Sequence, residues 1–192
     1  MSEKHTPTLL LIEDDLGFAE RLSRNLALEG FRCDVAATGR EALERLGSQY
    51  YDLVVTDILM PGIDGLEIIR RVKSGTEPKI DSDVPIVVLT SVNAVRTAVE
   101  AMQCGAADYV TKESERPEIV VRLRRVLEQS RLLNENRYLK DQLARASEFT
   151  DIVGESKAIR AIKDEIANVA PSEATILITG KTGVILNNNS FI

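Results

Sequence analysis

The 192-residue chain has no tryptophan, one histidine, two cysteines and few aromatic residues of any kind. Each scarcity excludes something. Cys33 and Cys104 are too few for a disulfide framework and show no metal-ligand spacing, so each reads as a small buried hydrophobe. The lone His5 excludes a zinc site built on a histidine cluster and reads as part of a disordered tail. No apolar run is long enough to cross a membrane, and the opening Met1-Ser-Glu-Lys-His-Thr-Pro7 lacks the charged-then-apolar layout of a secretion signal. The expected location is cytoplasmic, away from any membrane. The length excludes two large domains but leaves several dozen residues beyond one. With 44% apolar and 28% charged residues and a net charge of −6, the composition is that of a soluble globular chain.

What is present is ordered along the chain. Residues 1–115 hold 12 basic and 20 acidic side chains, whereas residues 116–147 hold 8 and 4, so the composition changes near Arg116. Upstream, short apolar runs alternate with amphipathic segments. Thr8–Ile12 precedes a helical pattern through Phe18, Leu22, Leu26 and Leu28 that stops at Gly30. Phe31–Val35 precedes Ala42, Leu43 and Leu46, and Leu53–Thr56 precedes Leu66, Ile68, Ile69 and Val72. Val84–Leu89 precedes Val95, Ala98, Val99 and Met102. Tyr109–Thr111 leads into a long helix from about Pro117, a favoured first-turn residue. Five short β-branched strands, each followed by a helix, call for a parallel sheet covered on both faces. The expected fold is a doubly wound α/β domain, whose ligands sit outside the carboxyl ends of the strands.

Those ends are polar. The first strand ends in Glu13-Asp14-Asp15, the third in Thr56-Asp57, the fourth in Thr90-Ser91 and the fifth in Thr111-Lys112. Asp15 equally suits the cap of the first helix. Gathered together, Glu13, Asp14 and Asp57 would repel one another unless a hard divalent cation joined them, and oxygen ligation suits Mg²⁺ or Mn²⁺. Lys112 adds an ammonium and Thr90 a hydroxyl. Carboxylates, metal, ammonium and hydroxyl are the apparatus of phosphoryl transfer. A carboxylate can itself be the nucleophile, and Asp57, at the end of the central strand, is the candidate.

Leu10-Leu-Ile-Glu-Asp-Asp15, Asp52-Leu-Val-Val-Thr-Asp-Ile-Leu-Met-Pro-Gly-Ile-Asp-Gly65, Val88-Leu-Thr-Ser91 and Gly105-Ala-Ala-Asp-Tyr-Val-Thr-Lys112 resemble, in order, the motifs of response regulator receiver domains. The resemblance covers about residues 7–130 and implies a five-stranded sheet of order 2-1-3-4-5. It implies Asp57 as phosphoacceptor, with Glu13, Asp14, Asp57 and the main-chain carbonyl of Leu59 around the metal. It further implies that Lys112 holds the phosphoryl group and that Thr90 and Tyr109 form a switch pair. By chemistry alone Tyr109 equally fits core packing. The implied donor is a phosphohistidine on a sensor histidine kinase, or a small acyl phosphate. The sequence departs from the family twice. Glu113 follows Lys112 where receivers usually carry proline, and Ser74–Asp83 is longer and more polar than the usual connection, reading as a solvated loop.

From Pro117 to about Ser147 there is neither glycine nor proline. Apolar residues fall at Ile119, Leu123, Val126 and Leu133, then in a shifted phase at Leu132, Leu139, Leu143 and Ala146, with Asn136 at a core position of that phase. This suggests a parallel homodimer through the helix, against the alternative of a solvated linker carrying Arg122, Arg124, Arg125 and Arg131 as a charged face. Direct nucleic-acid binding is not expected, because only Tyr138 interleaves those arginines.

Farther on, Asp151-Ile-Val-Gly-Glu-Ser-Lys-Ala-Ile-Arg160 and Val169-Ala-Pro-Ser-Glu-Ala-Thr-Ile-Leu-Ile-Thr-Gly-Lys-Thr-Gly183 resemble the opening of the AAA+ domain of NtrC-type activators of sigma-54 RNA polymerase. A phosphate-binding loop needs G-x-x-x-x-G-K-[ST]. Counted from Gly180, the second glycine is replaced by Ile185 and the lysine by Leu186. Counted backward, the first glycine is replaced by Thr175. ATP hydrolysis is therefore not expected, and residues 184–192 read as a frameshifted or truncated end. The expected organisation is a receiver over 1–116, a helical linker over 117–147, the start of an AAA+ domain over 148–183 and an aberrant tail over 184–192. The expected function is phosphoacceptance that changes the dimer and so controls transcription. The alternative is a coiled-coil interaction module independent of phosphorylation. A phosphatase using Asp57 ranks lower, because the position of its general acid is taken by Leu59.

Overall fold

The computed structural model describes residues 5–91, 95–147 and 156–169. In chain order the elements are β1 (Thr8–Ile12), α1 (Leu16–Leu28), β2 (Arg32–Ala36), α2 (Gly39–Leu46), β3 (Leu53–Thr56), α3 (Gly65–Lys73), β4 (Ile86–Thr90), α4 (Val95–Gln103), β5 (Asp108–Thr111), α5 (Arg116–Ser147) and α6 (Lys157–Val169). All strand pairs are parallel, in the order β2-β1-β3-β4-β5. The sequence leaves β1 in both directions from this arrangement, so β1 and β3 flank the point where strand order reverses.

Alternation along each strand builds two cores. Leu10, Ile12, Val54, Ile86 and Val88 face one side, against Ala42 and Leu46 of α2, Leu66, Ile68, Ile69 and Val72 of α3 and Ala101 of α4. Leu9, Leu11, Leu53, Val55, Val87 and Leu89 face the other, against Ala19, Leu22 and Leu26 of α1 and Ile119, Val120, Leu123 and Val126 of α5. Each leucine, isoleucine or valine among them contributes about 1.5–3 kcal/mol on burial, which fixes the strand register and thus the position of every strand end.

Several expectations change. β2 and β4 each begin later and run one residue farther than read, to Ala36 and Thr90. Leu28 fits the helical period of α1 but is 76% exposed, as are Val99 and Met102 of α4 by about half, because the helix stripe is wider than the sheet beneath it. Cys33 and Cys104 are only partly buried, each at the margin of a core. His5 is not a loose tail residue: its Nε2 lies 3.1 Å from both carboxylate oxygens of Asp52, which also accepts the Thr8 N–H. The polar connection after α3 is tied down by Lys73, whose ammonium donates to the Ser82 and Val84 carbonyls at 2.8 and 2.7 Å.

The chain forms two compact units, the first ending at Leu133. In the first, α5 takes part in the core as far as Leu127, and Leu133, read as continuing that stripe, is 69% exposed. Of the arginines read as a charged face, Arg122 pairs with Asp108 and Glu118, and Arg124 donates to the Glu29 carbonyl and lies over Phe31. Arg131 pairs with Glu128. In the second unit, every side chain of α5 from Asn134 to Gln142 is exposed, and Ser156 accepts the Ile159 N–H at the start of α6. Residues 148–155 and 170–192, which include the failed phosphate loop and the expected tail, lie outside the described residues. Among the described residues no helix is long and apolar enough to cross a membrane.

Candidate functional site

The site is assembled by ladder hydrogen bonds that run one residue past the ends of β1 and β3. The Glu13 N–H donates to the Ala36 carbonyl and the Asp57 N–H to the Ile12 carbonyl, both at 3.0 Å. Glu13 and Asp57 are thereby held at the reversal point, 1% and 5% exposed, while Asp14 stands exposed beside them. One carboxylate oxygen from each of the three lies within 4.8 Å of the others. Asp15 does not join them. Its carboxylate accepts the Phe18 N–H at 3.0 Å and caps α1, the alternative its position allowed.

Asp57 is braced from its own loop. Its Oδ1 accepts the N–H groups of Ile58 at 2.6 Å and Leu59 at 3.3 Å. The Leu59 side chain is exposed while Ile58 and Met60 are buried. Gly65, at the start of α3, permits this loop: a Cβ there would stand 2.0 Å from the Asp57 carbonyl oxygen and 3.0 Å from the Ile58 Cα. The Asp64 carboxylate caps α3 by accepting the Glu67 N–H at 2.7 Å.

Lys112 arrives from β5. Its N–H donates to the Thr90 carbonyl at 3.0 Å, and its Nζ lies 2.5 Å from Glu13 Oε2 and 2.7 Å from Asp57 Oδ2. The Phe18 ring of α1 completes its surroundings, with the ring centroid 4.7 Å from Nζ. Burial opposes the Lys112 charge, but the hydrogen bonds to Asp57 and Glu13 outweigh it and hold the ammonium above the ordinary lysine range. Burial pushes the Glu13 carboxyl up, against the hydrogen bond from Lys112. With Glu113 in place of proline, the loop after Lys112 is closed by Ser114, which donates its N–H to the Thr111 carbonyl. All peptide bonds among the described residues are trans.

Thr90, the last residue of β4, is fully buried. Tyr109 is in register with Val88, two residues before Thr90, so the two share the face covered by α2, α3 and α4. The Tyr109 phenol is raised by burial and then by the negative charge of Asp57. Glu13, Asp57 and Lys112 thus meet at one edge of the sheet with Asp14 beside them, the Leu59 N–H reaches Asp57, and Asp15 is taken up in capping α1. Gly65 and Phe18 also belong to the site, one through its close approach to the Asp57 backbone and the other through its ring beside Lys112, and no spacing in the sequence marks either.

The donor set suits a divalent cation. Three carboxylates face a single ammonium, so the pocket carries excess negative charge on oxygen atoms alone, the preference of Mg²⁺ or Mn²⁺ rather than of thiophilic metals.

Residues 9–124 match the family model described as "Response regulator receiver domain". Over 177 residues the chain is 31% identical to the C4-dicarboxylate transport transcriptional regulatory protein DctD of Rhizobium meliloti, covering 92% of this chain and 37% of that one. It is 33% identical over 175 residues to the transcriptional regulatory protein ZraR of Escherichia coli K12, covering 91% and 37%. The chain thus spans little more than a third of these relatives. Among solved structures, NtrX from Brucella abortus superposes with a TM-score of 0.62 at 26% identity, covering 86% of this chain and 35% of that one. The signal receiver domain of a signal transduction histidine kinase from Syntrophus aciditrophicus superposes with a TM-score of 0.58 at 29% identity, covering 64% and 91%. Glu13, Asp14 and Asp57 form the acidic cluster typical of a receiver magnesium site. Strand order, acidic cluster and sequence match agree, and the chain belongs to the response regulator receiver domain family.

Proposed function

We propose that this chain is the phosphoacceptor of a two-component system, taking a phosphoryl group onto Asp57 from a phosphohistidine on a sensor histidine kinase. The observation that carries this reading is the convergence of Lys112 on Asp57 and Glu13, at 2.7 and 2.5 Å, beside the three-carboxylate cluster. An Asp57 carboxylate oxygen forms the bond to phosphorus as the phosphorus–nitrogen bond breaks, and the donor imidazole leaves with the electron pair. Glu13, Asp14, Asp57 and the main-chain carbonyl of Leu59 would hold Mg²⁺ or Mn²⁺. The metal supplies neutralisation of the phosphoryl oxygens when bound. Lys112 holds a phosphoryl oxygen, and Thr90, with Tyr109 on the same face, turns toward the new charge of about −1.5 to −2.

The output is a change in self-association that controls transcription. Residues 1–116 form the receiver, 117–147 a linker helix that dimerises and 148–183 the start of an AAA+ domain of the kind found in sigma-54 activators. The likeness to DctD and ZraR along more than nine-tenths of this chain supports that placement. The exposure of Leu132 and Leu139, each by about half, on the phase that contains Asn136 supports the dimer. The chain is a cytoplasmic phosphorelay protein without ATPase activity, since neither reading of Gly180 completes a phosphate loop.

Intact-protein mass after incubation with acetyl phosphate tests this, with and without Mg²⁺, on the wild type and on Asp57→Asn. One added phosphoryl group, seen only with metal and only when Asp57 is present, is the expected result. If neither acetyl phosphate nor a phosphohistidine donor modifies the wild type, the chain is instead an interaction module acting through α5.

A further inference from the structure

We propose that Phe18 is a positioning residue for phosphoryl transfer, its aromatic face holding the Lys112 ammonium against Asp57 and Glu13. This inference rests on the function proposed above.

The ring is placed by the same turn that carries Glu13 and Asp14, two of the three acidic residues. Glu13 and Asp14 follow β1 directly, Asp15 accepts the Phe18 N–H at 3.0 Å, and Phe18 lies in the first turn of α1, half-buried against the core between α1 and α5. Its centroid is 4.7 Å from Lys112 Nζ, whose side chain is 14% exposed. The Arg21 guanidinium, at 6.0 Å from the same centroid, is farther away.

A hydrogen-bond acceptor at this place would compete with Asp57 for the ammonium protons, and water would draw the ammonium out of the pocket. An aromatic face does neither. It attracts the cation through its quadrupole and takes no proton, so Lys112 keeps its two carboxylate partners. The attraction is also tolerant of small displacements. The ammonium can therefore follow an arriving phosphoryl oxygen without leaving the ring.

Two variants separate this role from packing. Phe18→Tyr keeps the aromatic face, whereas Phe18→Leu keeps an apolar side chain and removes the face. With acetyl phosphate and Mg²⁺, Phe18→Leu is expected to lower the rate of phosphorylation about three- to tenfold. The loss falls on the maximal rate rather than on half-saturation, and Phe18→Tyr restores it while melting temperatures stay together. A second readout needs neither metal nor turnover. In the NMR spectrum of the unmodified wild type, the Lys112 ε-methylene protons are shifted upfield by the ring, a shift kept in Phe18→Tyr and lost in Phe18→Leu.

Wild-type phosphorylation with an unchanged rate in Phe18→Leu overturns the inference alone. So does a Phe18→Tyr as slow as Phe18→Leu, or an unshifted Lys112 signal in the wild type. A wild type that accepts no phosphoryl group from any donor overturns the proposed function, and the role of Phe18 with it.

Discussion

Gly65 is the residue on which the Asp57 loop depends most sharply. Any Cβ there would meet the Asp57 carbonyl oxygen at 2.0 Å, and relief would require α3 to move away from β3. Gly65→Ala is expected to cost about 3 kcal/mol in a urea titration and to disturb Asp57 first; an unchanged midpoint would contradict the close approach. Cys33 offers a chemical check on the opposite core. Burial pushes its thiol up to about 11, above the unfolded value, so the stability it contributes is full below the unfolded value and is lost as pH rises through the folded one. At neutral pH the folded chain should therefore alkylate slowly at Cys33 and rapidly in urea, read by peptide mass, and equal rates would contradict its burial. The carboxylates and Lys112 were legible in the sequence because strand ends in a parallel α/β fold share one edge. Gly65 and Phe18 were not, because a close backbone approach and a ring over a cation are tertiary facts that leave no spacing signal.

At the scale of elements, α5 was legible in length and illegible in role. The absence of glycine and proline marks a continuous helix, and its apolar residues mark a stripe. The point at which that stripe leaves the core is set by the reach of β1, β3, β4 and α1 beneath it. Leu123 and Leu133 read alike in sequence, yet Leu123 is 1% exposed and Leu133 69%. Leu123→Ala should cost about 3 kcal/mol in a denaturant titration, whereas Leu139→Ala should stay within about 0.5 kcal/mol and weaken self-association measured by light scattering. Equal costs at the two positions would contradict the division of α5. The arginines of the same helix looked like one charged face. Arg122 and Arg124 instead fasten α5 to Asp108 of β5 and to the Glu29 carbonyl after α1, partners that sequence distance conceals.

At the scale of the whole molecule, the parallel doubly wound sheet was legible because five apolar strands, each followed by a helix, require crossovers, and its order was implied only by the resemblance of the strand-end motifs to receiver domains. The order β2-β1-β3-β4-β5 then places β1 and β3 side by side, so that Glu13 and Asp57, 44 positions apart in the sequence, become neighbours. Lys112 closes the pocket from β5 with its ammonium on both. This convergence underlies the proposed role of Asp57 as the acceptor. Borohydride reduction after incubation with acetyl phosphate and Mg²⁺ tests it most directly, since it converts an aspartyl phosphate to homoserine and leaves free carboxylates unchanged. Peptide mass mapping should find homoserine at position 57 alone, and homoserine at position 14 or 15, or at none in a chain that has gained a phosphoryl group, would contradict the account.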